Sequence, residues 1–143
     1  MSFFISKRKT AELFEFSIRT ASSIMANALN SVPDVEIDPE GVFKYILIKV
    51  FEKQGGASKM IVRGNKQGPY HADIYDECTP MIHKLGLATT CTGGGRIDHN
   101  ATAKKILVYG YSQGYGKADH KIAVDLLKKH YTDYDITFSD EGY

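Results

Sequence analysis

No stretch of the chain holds about 18 consecutive apolar residues, so nothing in it reads as a membrane-spanning helix. Cysteine is scarce. Cys78 and Cys91 are too few for a secreted disulfide scaffold and stand in no metal-ligand spacing, which points to a reducing, cytoplasmic compartment. Neither charge dominates: 18 basic against 17 acidic side chains leave a formal net charge of +1. Without a basic footprint, basic run or aromatic ladder, a nucleic-acid partner is not expected. His83, His99, His120 and His130 show no spacing with acids that suggests a metal site, so no metal or other cofactor is expected.

What the chain does have is material for a core. Its 143 residues are 43% hydrophobic, enough for one ordinary globular domain, expected to act as a monomer, and too few for a second. The stretch that organises it is residues 104–120, KKILVYGYSQGYGKADH, an apolar strand running into a glycine-rich turn that opens a helix. Helix starts carry four backbone N–H groups without intrahelical acceptors and a partial positive charge, so this build suits an anion. Gly110, Gly114 and Gly116 would let the backbone approach a phosphate closely, and Ser112 adds a hydroxyl donor. A tight strand-to-helix connection with packed tyrosines fits the same residues. A nucleoside triphosphate loop does not: five residues separate Gly110 from Gly116 where that motif requires four, and Ala118 replaces its magnesium-binding Ser or Thr.

Along the chain, residues 1–31 read as an N-terminal extension, with Phe14, Ile18, Ala21, Met25 and Ala28 at helical spacing beside Lys7, Arg8, Lys9 and Arg19. An amphipathic docking helix, a disordered segment and a targeting segment all fit that pattern. The domain proper spans residues 32–143. Residues 42–51, VFKYILIKVF, are too continuously apolar for a strand with one wet face and predict a central strand. Lys44 interrupts it, and must either snorkel out at the strand end or meet an anion.

Further strands are expected at 59–63, 87–92, 96–99, 104–111 and 134–138, with Gly93 to Gly95 as a flexible corner. The sequon at Asn100 reads as a hairpin turn. A helix from about Tyr70 ends at Gly86, kinked or restarted at Pro80 with Thr79 as cap, and a second covers 117–130. The expected fold is α/β in the α+β sense: a single domain, a mixed six-stranded sheet and two main helices, plus the N-terminal helical extension.

His71 is the candidate for chemistry. At a helix start the dipole disfavours imidazolium, and a neutral ring near pH 7 can take a proton or attack phosphorus. A capping or core histidine also fits the position, and is the commoner case for a single histidine. Cysteine-dependent phosphate chemistry fails on spacing: Cys91 and Arg96 enclose four residues where that loop requires five, and the five after Cys78 end in Lys84. Arg96, after three glycines, is either a structural ion-pair partner or a phosphate-side cation. His120 falls in the first turn beyond the cradle, within reach of a ligand or on the surface.

Taken together, FKYILI (43–48), YHADIYD (70–76), GGGRI (93–97), VYGYSQGYGKADH (108–120) and the closing DEGY make residues 32–143 resemble the protein histidine phosphatase, or Janus, family. The resemblance implies a small α/β fold and metal-independent hydrolysis of the P–N bond of phosphohistidine in proteins. It implies a catalytic role for His71 and phosphate binding by Lys44, Ser112, Gln113 and Gly114. Tyr70, Arg96 and His120 are then candidate pocket supports, and phosphohistidine-containing proteins the expected partners. The family also includes paralogues without the catalytic histidine, so an inactive phosphate-recognising or partner-binding protein is the rival expectation.

Overall fold

A computed structural model of the chain describes residues 28–141. Six strands form one mixed sheet: β1 (Val35–Ile37), β2 (Gly41–Glu52), β3 (Ser58–Asn65), β4 (Leu87–Asn100), β5 (Lys105–Tyr109) and β6 (Asp135–Phe138). Their spatial order is β1-β3-β2-β4-β5-β6, with the two outer pairings parallel and the three inner ones antiparallel. Helix α1 (His71–Lys84) packs on one face and helix α2 (His120–His130) on the other.

The apolar run predicted to be central is β2. Strand side chains alternate, so Phe43, Tyr45 and Leu47 join Val124 and Leu127 of α2, while Ile46, Ile48 and Val50 join Ile74 and Ile82 of α1. Both faces are therefore dry, and the run needs no polar alternation. Lys44 falls on the α1 face but beyond the N-terminus of that helix, where Asn65 and Arg96 are its neighbours in register. No helix among the described residues is long and apolar enough to cross a membrane.

The triglycine is not a corner. β4 runs unbroken from Leu87 to Asn100, and Gly93 and Cys91 face consecutive residues of β2, which makes Thr92 the extra residue of a β-bulge. The glycines are there for close approach. A Cβ on Gly93 would stand 2.6 Å from the backbone of Ala118, and one on Gly94 would stand 2.7 Å from the His71 ring. The expected strand at 96–99 is thus the second half of β4.

The sixth strand is β1, which the sequence reading passed over because its three residues lie in an acidic, proline-containing run. It is pinned by hydrogen bonds in addition to the burial of Val35 and the packing of Ile37 on the core. Val62 N–H donates to Asp34 O at 2.8 Å, and the buried Arg63 donates through Nη2 to Pro33 O at 2.7 Å.

Helix α1 carries Pro80 in its interior without a restart. Thr79 is an interior residue, its hydroxyl donating to Tyr75 O at 2.8 Å, not a second cap. The predicted start of α2 at Lys117 moves to His120, because residues 116–118 run as a bridge beside β4: Gly94 N–H donates to Gly116 O and Ala118 N–H to Gly94 O, each at 3.0 Å. The sequon does form the β4–β5 hairpin turn, where Asn100 Oδ1 accepts from Ala103 N–H and Lys104 adopts a positive φ of 55°.

Most of the expected N-terminal extension lies outside the described residues. Its end, residues 28–31, is helical, and Leu29 and Val32 are buried in the cluster beneath α1.

Candidate active site

A cleft of about 570 Å³ opens where the N-terminus of α1 meets the loop after β5, lined by Lys44, Tyr70, His71, Ala72, Ser112, Gln113, Gly114 and Tyr115. A second cleft, of about 380 Å³ beside β1, is lined by Glu36, Asp38 and Glu77 against the single cation Arg63, a balance unfavourable to a phosphoryl group.

The helix end that faces the loop is that of α1, not that of α2 as the strand–turn–helix pattern predicts. The start of α2 is occupied by its own chain, since Asp119 Oδ1 accepts from Lys121 N–H at 3.1 Å. At α1, the cap is Tyr70, whose N–H donates to Asp73 Oδ2 at 3.0 Å. The N–H groups of His71 and Ala72 stand in the first turn, where a helix supplies no acceptor.

The loop itself is a closed turn. Ser112 and Gly116 exchange two backbone hydrogen bonds, at 3.1 and 2.8 Å, and Ser112 Oγ accepts from Tyr115 N–H at 3.1 Å. Gly116 holds the turn with a φ of 85°, open to glycine and strained for other residues. Among the described residues the amides of Gln113 and Gly114 have no protein acceptor, and the Ser112 hydroxyl keeps its proton to donate.

His71 is buried, and its Nε2–H donates to Gly95 O at 2.9 Å. A carbonyl can only accept, so that bond fixes the proton on Nε2 and leaves the lone pair on Nδ1. Burial pulls the pKa of the ring below its ordinary value; the Gly95 carbonyl opposes this, and the charges of Lys44 and Arg96 add to it. The ring is a neutral base at pH 7. The sequence argument named the helix dipole as the source of that neutrality, and burial acts in the same direction.

Lys44 does not simply reach for solvent. Its ammonium donates to Pro69 O at 2.9 Å, which holds it at the mouth of the cleft with two further N–H donors. Arg96 lies opposite Lys44 in the sheet and contributes charge to His71 without lining the cleft.

His120 is neither on the surface nor against the cleft. It is buried, donates from Nε2 to Gly110 O at 2.9 Å and accepts at Nδ1 from the Tyr45 hydroxyl. It braces the strand end from which the loop departs.

Tyr115 and Ala72 line the cleft although the sequence reading did not single them out. Each adjoins a residue that it did. Cys78 and Cys91 are half-buried in the cluster beneath α1, and burial pushes both thiols up to about 11. Thiolate is correspondingly rare at neutral pH, against a cysteine nucleophile.

This cleft lies within the part of the chain, residues 29–135, that matches the Janus/Ocnus family model. The chain belongs to that family. Among the relatives of this Janus/Ocnus chain is the 14 kDa phosphohistidine phosphatase of Sus scrofa, 50% identical over 120 residues, which cover 80% of this chain and 95% of the relative. The Homo sapiens protein of the same name is 50% identical over 117 residues, 78% of this chain and 94% of its own. The sex-regulated protein janus-A of Drosophila melanogaster is 47% identical over 132 residues, 92% of this chain and 97% of its own.

Proposed function

We propose that this protein is a phosphohistidine phosphatase, hydrolysing the P–N bond of phosphohistidine in protein substrates with His71 as its catalytic residue. The observation that carries the reading is the Nε2–H bond from His71 to Gly95, which turns a neutral nitrogen lone pair loose in a cleft rich in anion donors. The two relatives named as phosphohistidine phosphatases support the choice of substrate.

In this mechanism the phosphoryl oxygens take hydrogen bonds from the Gln113 and Gly114 amides, the Ser112 hydroxyl and the first amides of α1, with Lys44 supplying full charge. Phosphoryl transfer asks for little more than such positioning and charge neutralisation. The substrate's imidazole departs as nitrogen takes a proton and phosphorus takes an oxygen from water. His71 Nδ1 either removes the proton from that water or attacks phosphorus first; trapping of phosphate on His71 marks the second route, and its absence in rapid-quench samples marks the first.

The test is release of phosphate from a phosphohistidine peptide, followed as kcat/KM against pH and corrected for the acid lability of the substrate. Protonation of His71 removes the lone pair, so activity falls on the acid side. Because the folded pKa lies below the ordinary value of about 6.5, the midpoint of the acid limb of kcat/KM is expected below that pH. Half-loss on the acid limb at pH 7 or above contradicts the assignment.

A further inference from the structure

The proposed reaction leaves one wall of the cleft without a task. Tyr115 lines the cleft and is also packed, half-buried, against the apolar cluster beneath α1. Its ring lies 5.9 Å from that of Tyr75, centre to centre, at an interplanar angle of 57°. Tyr75 stands one helical turn beyond His71 and so shares its face of α1. Its hydroxyl is held by Thr89, at 2.7 Å from Oγ1, and Thr89 Oγ1 lies 2.8 Å from His83 Nε2. Tyr115 is therefore a braced ring, fixed in position before any substrate arrives.

The other tyrosine lining the cleft is Tyr70. It is 71% exposed, and among the described residues no ring packs against it. The two tyrosines are not equivalent as binding surfaces. An ordered ring can receive a flat partner at small entropic cost, whereas an exposed one must first be immobilised.

A cleft of about 570 Å³ is also too large for a phosphoryl group alone. Its hydrogen-bond donors come from Lys44, the start of α1 and the Ser112–Gly114 turn, and the ring of Tyr115 adds an apolar surface beside them for whatever carries the phosphorus. Taking the hydrolysis proposed above as given, that carrier is an imidazole, which is flat and aromatic.

We propose that Tyr115 determines specificity for the leaving group: the substrate imidazole stacks on its ring, backed by Tyr75, and is thereby oriented with phosphorus toward His71. Tyr115 acts on the ring and not on the phosphate. A phosphoramide without a ring gains nothing from it.

The experiment compares kcat/KM for a phosphohistidine peptide with that for inorganic phosphoramidate, whose leaving group is ammonia, in the unsubstituted protein, Tyr115→Leu and Tyr115→Phe. The ratio of the two values is expected to fall about tenfold in Tyr115→Leu, the upper range for an aromatic pair, and to be restored in Tyr115→Phe. Equal losses on both substrates reduce Tyr115 to a brace for the loop and overturn the proposal, as does an unchanged ratio. If the unsubstituted protein hydrolyses phosphoramidate but not the peptide, the stacking proposal falls while phosphoramide hydrolysis stands. Hydrolysis of neither overturns both.

Discussion

His71→Ala is expected to lower kcat on a phosphohistidine peptide by about a thousandfold, the middle to upper range for a positioned acid–base group. The fold should survive. His71 sits in the first turn of α1, its ring bonded to the Gly95 carbonyl and to no other described residue, and the packing of the helix rests on Ile74 and Ile82. The variant should also still bind phosphate, since the amides of Gln113 and Gly114, the Ser112 hydroxyl and Lys44 remain. Titration of the variant with inorganic phosphate separates the two effects. Retained phosphate binding with abolished turnover is the signature of a catalytic group, while unaltered turnover would remove His71 from the mechanism and favour a phosphate-recognising protein.

Gly94→Ala is expected to reduce kcat by about a hundredfold, although it adds a single methyl group to a residue with no functional atoms of its own. The new carbon would stand 2.7 Å from His71 Cδ2, 2.8 Å from the backbone oxygen of Tyr45 and 3.1 Å from Ser112 Cβ. The carbonyl cannot withdraw, since it belongs to the centre of the sheet. The imidazole and the serine must give instead, and misplacement by about 1 Å is enough for a loss of this size. Lys44 is untouched and the closest side-chain clash falls on His71, so the deficit should appear in kcat more than in KM. A variant with unaltered kcat would mean that the imidazole need not lie where the glycine lets it lie.

These two positions also mark where the sequence is legible and where it is not. His71, Lys44, Ser112 and Gly114 drew notice through local chemistry, as a histidine at a helix start, a cation among apolar residues, and a hydroxyl and a glycine in a glycine-rich turn, whereas Gln113 and the phosphate-binding role of Lys44 came only with the resemblance to the family. The structure brings all five around one cleft. The role of Gly94 was hidden, because a glycine states only that something comes close and not what. Its neighbours here are the start of α1, 23 residues earlier in the chain, and a loop 18 residues later.

The same limit explains the anion cradle. The turn after β5 does offer its amides, but the helix that completes the site is the distant α1, since the chain needs residues 116–118 to zip along Gly94 before α2 can begin. β1 escaped notice for a related reason. Three residues carry too little apolar pattern, and the bonds from Asp34 and Pro33 that fix the strand reach partners 28 and 30 positions away. Central strands and long helices, by contrast, declare themselves through burial of their own side chains, and β2 and α1 were found where the pattern put them.

Helices α1 and α2 each open with a histidine, and each of these rings gives its Nε2 proton to a glycine carbonyl, His71 to Gly95 and His120 to Gly110. Protons tied in this way exchange slowly with solvent and resonate far downfield, so the molecule carries a matched pair of spectroscopic beacons. One of them borders the cleft and the other is sealed behind Tyr45. A ligand entering the cleft shifts the first and leaves its twin as an internal standard.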